Sequence, residues 1–536
     1  MEPEDQAVDV LIVGAGASGA AFSWSLAESG INVLCFEQGG WVQNDSYSST
    51  HDDWELHRQT DMNPNPNVRR DEQDYPIDEK DSEISPLMYN AVGGSTIHWS
   101  AHVPRFHPSD FRVRTLDGVA DDWPIKYEDL EEFYDLNDQM IGVAGAVGDP
   151  AYPPKPSRQT WPVPLGKVGL KMVEGFERLG WHWWPSESAI VTESYDGRLP
   201  CNNCGPCDIG CTRGSKASSD ITYWPKALKA GAKLKTGVTV SEITLDSDGL
   251  ANGVLYYRSD GSVHRQRAGF VILAANGIGT TRLLLNSKST LFPNGLANRS
   301  GLVGRNLMFH PYTRITGIFD EALDSHKGPI SCCLISHEFY ETDPSREFFR
   351  GYSLQVVRGS GPVQSALGGL ARNMVPWGSV HRTVFKERYN HEITLAISGE
   401  DLPEKENRVE LDASLTDKFG IPAPKVIYRL SDNSKKLMNH AISKGTEALK
   451  SAGAKYVLTH PLLRASGWHL LGTARMGSTP ETSVVNQWGQ SHDVDNLFII
   501  DGSIFVTSAA IAPTSTIQAL ALRIADYFKR NFKSIL

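Results

Sequence analysis

"VDVLIVGAGASGAAFSWSLAESGINVLCFEQGG", residues 8–40, decides the fold. Val8 to Val13 is an apolar run interrupted only by Asp9 near its start, the pattern of a parallel strand buried on both faces. Gly14, Gly16 and Gly19 follow it as G-x-G-x-x-G. Gly14 permits the tight turn, Gly16 lets a pyrophosphate approach the backbone, and Gly19 lets the next helix pack on the strand. Ser18 falls in the first turn of that helix, whose N-terminus offers free N–H groups and the positive end of its dipole. The second strand, "NVLCFE", ends at Glu37, 23 residues after Gly14, with Gln38 next to it. A carboxylate there suits the ribose hydroxyls of an adenosine. Strand, glycine turn, helix, strand and acid together predict a dinucleotide site, without separating FAD from NAD.

The rest of the chain sets limits around that unit. At 536 residues it predicts two large or interleaved domains. A hydrophobic content of 40% and a charged content of 21% are those of a globular enzyme. Net charge near −11 and a pI near 5.8 argue against nucleic acid and against a basic membrane-docking patch. No apolar run reaches the ~18 residues of a membrane span. The acidic opening "MEPEDQ" lacks the basic, then apolar, pattern of a signal peptide. A soluble cytoplasmic protein is expected, in which clustered cysteines are metal-bound or free rather than paired.

Three further stretches narrow the reading: "NAVGGSTIHWSAHVPRFHPSDF" from Asn90, "SGWHLLGTARMG" from Ser466, and "NLFIIDGSIFVTSAAIAPTSTIQALALRIADYF" from Asn496. With them, and with "FVILAANGIGTTRLLLNS" (270–287), the chain resembles the glucose–methanol–choline (GMC) flavoprotein oxidoreductases over essentially its whole length. The segment 118–145 and the cysteine run described below resemble the carbohydrate branch: gluconate and fructose dehydrogenases, pyranose oxidases and glycoside 3-oxidases. The resemblance implies an α/β fold, with a Rossmann-like FAD-binding domain and an inserted antiparallel-sheet substrate domain, as in the p-hydroxybenzoate-hydroxylase architecture. Residues 1–300 and 460–536 would form the first and 301–459 the second, with 42–85 a covering or interface loop. The inserted part carries strand-like runs "TRITGIFD", "SLQVVRG", "EITLAISGE", "NRVELDA" and "KVIYRLS", then a helix from Asn433 to about Ala452.

The resemblance also assigns cofactor contacts. It gives FAD to Asn90, Gly93, Gly94, Ser95, Thr96, Trp99 and Ser100, to Val240 at the adenine, and to Asp501, Gly502, Thr514 and Ser515. The residue chemistry agrees: glycines bring backbone close to a flat ring, and small hydroxyls donate to it. The helix beginning at "PTSTIQALAL" would aim its positive end at the flavin's pyrimidine edge. His98 matches the pyranose-oxidase histidine attached to the flavin 8α-methyl; the alternative is a histidine packed beside the ring.

Alcohol oxidation removes a proton from oxygen and a hydride from carbon. Flavin N5 takes the hydride, and the protein supplies the base. His469 in "GWHLLGTARMG" matches the family's catalytic histidine. The family places Asn or His before the proline of the last stretch as a second grip on the substrate oxygen; here Ala512 stands there. Asn306 and His310, in "GRNLMFHP", are candidates to replace it. Sugars or glycosides, oxidised at a secondary alcohol, are the implied substrates, with oxygen or a quinone or protein partner as acceptor. A non-redox lyase of the same family and a flavin-bearing binding module are the rival readings. Oligomer formation is left open. "CNNCGPCDIGC" places Cys201, Cys204, Cys207 and Cys211 at the C-x2-C-x2-C-x3-C spacing of iron–sulfur proteins. An iron–sulfur cluster, a zinc site and free or disulfide-paired thiols are its three readings.

Overall fold

A computed structural model of the protein describes residues 6–156, 158–358, 361–367 and 375–534; Gly359, the last residue of the "SLQVVRG" run, lies outside them. The expected nucleotide unit forms the middle of a seven-stranded sheet. In spatial order its strands are Lys233–Lys235, Val33–Phe36, Val8–Val13, Val263–Leu273, Ala251–Arg258 and Val238–Leu245. Leu497–Ile499 pairs with the end of Val263–Leu273. The strands from Lys233 to Leu273, with Leu497–Ile499, run parallel. The last two turn back antiparallel. The long strand Val263–Leu273 shows why. Its first half alternates exposed and half-buried residues, as an antiparallel strand open to solvent does, and its second half is almost wholly buried, as a covered parallel strand is.

The substrate-side runs divide between two sheets. One is antiparallel and six-stranded: Tyr456–His460, Tyr312–Ile318, Glu392–Gly399, Tyr352–Val357, Leu334–Ser336 and Trp184–Pro185. Helix Asp432–Ser451 covers it, started by Ser431, whose Oγ accepts the Ser434 N–H at 3.0 Å. Its Leu437, Ala441 and Ala448 are buried on one face, and a Cβ on Gly445 would meet Ile315 at 2.7 Å. "NRVELDA" and "KVIYRLS" do not join this sheet. They form Arg408–Thr416 and Pro422–Tyr428, which pair with each other and then, in parallel, with Asp78–Ser82. Lys425 and Asp81 form an ion pair at 2.8 Å across that last pairing. The segment 42–85 otherwise holds short helical turns, among them Trp54–His57 and Pro66–Arg69. Among the described residues no helix is long and apolar enough to cross a membrane.

One guanidinium joins the layers. Arg350 is 1% exposed and bonds Asp110 at 2.6 Å, Glu400 at 2.9 Å and Asp117 at 3.0 Å. Glu400 follows strand Glu392–Gly399, while the Asp110 carbonyl accepts from Thr507 at 3.0 Å on the final chain segment. Burial raises the pKa of both Asp110 and Glu400, and Arg350 opposes it. Arg350→Ala strands three acids at this seam and should cost about 3–5 kcal/mol of unfolding free energy. Urea denaturation checks this; a loss under about 1 kcal/mol would show that the seam does not depend on the charge cluster.

Candidate active site

Between the nucleotide sheet and the six-stranded sheet lies a cavity of about 600 Å³. Its walls bring together most of the residues singled out in the sequence. Gly14, Gly16, Ser18, Glu37, Gln38 and Val240 line it, as do Asn90, Gly94, Ser95, Thr96, His98, Trp99 and Ser100. Asp501, Gly502, Ala512, Thr514 and His469 come to it from the C-terminal part of the chain. Gly19, Gly93, Ser515, Asn306 and His310 do not line it.

The glycine turn explains part of this division. A Cβ on Gly14 would meet the Ala274 carbonyl oxygen at 2.5 Å, and one on Gly19 would enter the Gly14 carbonyl. Gly19 is therefore a packing residue. Nothing stands within 4 Å of the position a Cβ on Gly16 would take, whereas a Cβ on Gly94 would meet the Gly16 Cα at 3.0 Å. Helix Ala17–Ala27 has no side-chain cap and no acid in its first turn. Helix Thr514–Asn531 has the same two features. Both uncapped N-termini reach the same cavity through Gly16, Ser18 and Thr514. Two positive helix ends with unused N–H groups suit a ligand carrying electronegative groups at two places, as FAD does with its pyrophosphate and flavin pyrimidine edge.

Other contacts set the walls. Glu37 accepts the Ala15 N–H at 2.8 Å and the Gly39 N–H at 2.9 Å, one per carboxylate oxygen. Burial outweighs these bonds and pushes its pKa up to about 7. Each oxygen keeps a lone pair for a ribose hydroxyl. Gln38 donates to the Gln73 carbonyl at 2.6 Å and Asn90 to Asp74 at 2.7 Å. Thr96 Oγ1 accepts the Ser219 N–H at 2.9 Å, and Trp99 donates to the Ala217 carbonyl at 2.7 Å. Asp501 accepts from Ser503 and Thr280, both at 2.6 Å. His98 donates Nδ1–H to the Asp208 carbonyl at 2.9 Å, so its Nε2 carries the lone pair; that atom is buried without a partner. Ser515 Oγ is likewise buried and unpaired. The residues present fit FAD.

His469 belongs to a chain of hydrogen bonds with a fixed direction. Behind it His310 is fully buried, with Nε2 at 3.1 Å from the Ser508 carbonyl and 3.0 Å from the Ala509 carbonyl. Carbonyls only accept, so His310 Nε2 carries the proton and neutral His310 keeps its lone pair on Nδ1. His469 Nδ1, 2.8 Å away, then donates to it. The His469 lone pair is left on Nε2. The two rings stand edge to face at 4.6 Å. Burial, with the neighbouring His310 and His102, holds His469 well below its ordinary pKa. His310 thus reaches His469 rather than the cavity. Asn306 also stays behind the wall, in a left-handed conformation at φ 60° with its carbonyl against Gly472.

The far wall comes from the six-stranded sheet, in residues the sequence reading did not single out. Tyr312 and Arg314 share one strand face and Gln355 and Val357 another, at the two-residue spacing of a strand. Ala396 pairs with both Arg314 and Gln355, so a small residue separates a guanidinium from an amide across one row. Strand alternation in "TRITGI" and "SLQVV" was the available signal. Among the described residues the cysteines of the 201–211 run form no disulfide; Cys204 is exposed and Cys207 buried. Among the described residues, no three of their sulfurs lie within the 4.8 Å of one another expected for ligands of one metal ion.

The chain matches the GMC oxidoreductase family models over residues 158–312 and 403–521, and an NAD(P)-binding Rossmann-like domain model over 12–71. It is 40% identical to 2-methyl-1,2-propanediol dehydrogenase of Mycolicibacterium austroafricanum, over 98% of this chain and 96% of that one. It is 28% identical to the fructose dehydrogenase large subunit of Gluconobacter japonicus, over 99% and 100%. Pyridoxine 4-oxidase from Mesorbium loti has a similar structure, with a TM-score of 0.65 at 15% identity, covering 98% of this chain and 99% of that one. The chain belongs to the GMC oxidoreductase family, whose flavoenzymes use FAD, and is an enzyme acting on alcohol groups.

Three buried histidines give the site an acid limit. Burial lowers His98 to about 3, and His102 and His310 to about 4. In the unfolded chain each titrates near 6.5, so below that pH the unfolded chain binds protons that the folded chain refuses. Their stability is complete above about pH 7 and falls by about 2 kcal/mol per histidine on acidification to pH 5. Glu37, raised to about 7, contributes in the opposite sense over the same window, so the three imidazoles are followed individually by NMR titration of the folded protein; titration of any of them near 6.5 would contradict the burial of neutral imidazoles.

Proposed function

We propose that this GMC oxidoreductase uses FAD to oxidise one carbinol of a vicinal diol, with His469 as the general base. The observation that carries the reading is the direction of the His310–His469 hydrogen bond, which leaves the lone pair on His469 Nε2. A depressed pKa keeps that nitrogen unprotonated near neutral pH. His469 takes the hydroxyl proton on Nε2, and its Nδ1–H stays on His310, which holds the ring in place as charge develops. Bound FAD supplies the acceptor for the hydride that leaves the carbinol carbon. Gly16, Ser18, Glu37, Val240, Ser95, Thr96, Asp501 and Thr514 hold that cofactor, and the segment 42–85 covers it through Arg58, Gln59 and Asn63. The reading requires neither a bond between His98 and the flavin nor a cluster at the cysteine run.

The substrate class rests on the polar wall and on the relatives. Tyr312, Arg314 and Gln355 offer several hydrogen-bonding groups to a small polyhydroxylated molecule. A 2-methyl-1,2-propanediol and a sugar both carry adjacent hydroxyls, so one is oxidised while its neighbour is gripped. A sugar or glycoside reacting at a secondary hydroxyl gives a ketone; a small 1,2-diol reacting at its primary hydroxyl gives an aldehyde. Steady-state assays of both classes, each with oxygen and with an artificial quinone, identify the substrate and the acceptor. His469→Gln should lower kcat by about 10²–10⁴-fold at unchanged flavin content. Retention of full kcat in that variant would remove His469 from the mechanism.

A further inference from the structure

One cavity histidine has no part in the network described so far. His102 lies four residues after His98, is 4% exposed, and lines the same cavity as His469. Its Nε2 is buried with no hydrogen-bond partner among the described residues. Buried polar atoms left unpaired are scarce in native proteins, because each forfeits its hydration. The backbone leading to it is also unusual. Ala101 adopts φ 59°, in the left-handed region that an alanine enters only at a cost, and His102 is then held by a bridge to Ser188. The chain thus accepts strain at one residue and an unpaired nitrogen at the next, in the segment that brings Trp99 and Ser100 to the cavity.

The proposed chemistry lacks one group. An oxygen losing its proton to His469 is stabilised by a hydrogen-bond donor aimed at it. Ala512 lines the cavity with a methyl group, which cannot donate, and His310 is committed to His469. We propose that His102 is the second group that holds the substrate hydroxyl, its neutral imidazole donating to the oxygen while His469 accepts the proton. The assignment rests on the reading of His469 as the base. Burial lowers the pKa of His102 to about 4, so the ring stays neutral and keeps one N–H. A charge on it would also oppose protonation of His469, so neutrality serves both residues.

His102→Ala and His102→Gln, each alone and the former also combined with Ala512→Asn, test this on the best diol or sugar, with His469→Gln alongside. We expect His102→Ala to lose at least 100-fold in kcat/KM at wild-type flavin content and visible spectrum. His102→Gln, which keeps an N–H donor, should lose less. Ala512→Asn should return at least tenfold to His102→Ala by supplying a donor from another wall. A packing role would not produce that recovery. His102→Ala within threefold of wild type, a loss that tracks missing flavin, or no recovery with Ala512→Asn would overturn the proposal. Activity that survives His469→Gln but not His102→Ala would instead fault the base assignment.

Discussion

Gly14, in the turn after the first strand, and Gly19, in the first helix, have no room for a side chain, and the rest of the nucleotide unit is arranged around that contact. Gly19 packs on the Gly14 carbonyl and Gly14 on Ala274, so strand Val8–Val13, helix Ala17–Ala27 and the end of strand Val263–Leu273 converge within van der Waals distance. Such closeness leaves the helix N-terminus pointing outward with its N–H groups unused. Glu37 closes the unit by accepting one backbone N–H per carboxylate oxygen. The carboxylate is buried enough to resist ionisation, and it is tolerated because it both braces the turn and faces the cavity. A second uncapped helix, Thr514–Asn531, meets the same space. What holds this part together is backbone proximity, and what it leaves exposed is backbone polarity.

The substrate side is organised differently. There, an extended hydrogen-bonding arrangement is anchored on carbonyls that cannot move: Ser508 and Ala509 fix His310, and His310 fixes His469. The price is a set of buried imidazoles that must stay neutral. Arg350 holds the layers in register by drawing Asp110, Asp117 and Glu400 onto one guanidinium. A shift at that seam would alter the space between Ala512 and the six-stranded sheet. Stability and catalysis therefore draw on the same buried polar groups, which is the expected cost of a preorganised site.

The sequence showed what local chemistry dictates. The glycine turn, Glu37 at the end of the second strand and a place on the cavity wall for the histidine of "GWHLLGTARMG" were legible, because spacing or motif fixes where they fall. Partnerships across the fold were not. His310 and His469 are 159 residues apart, and nothing in "GRNLMFHP" indicates that its histidine stands behind another rather than at a cavity wall. "NRVELDA" and "EITLAISGE" have similar strand character, yet they enter different sheets, since alternation reveals a buried face but not its neighbour. His102 sat in a quoted stretch and was passed over: a histidine becomes informative only when its nitrogen is seen to lack a partner. The blank at Ala512 was legible as a departure, whereas the residues around it required the structure.

The most direct test of the account is anaerobic mixing of the purified flavoprotein with a vicinal diol while its visible flavin absorbance is followed. The account predicts that the absorbance bleaches, with one equivalent of aldehyde or ketone formed per flavin. An unchanged spectrum across small diols, sugars and glycosides, with cyanohydrin cleavage in its place, would contradict it.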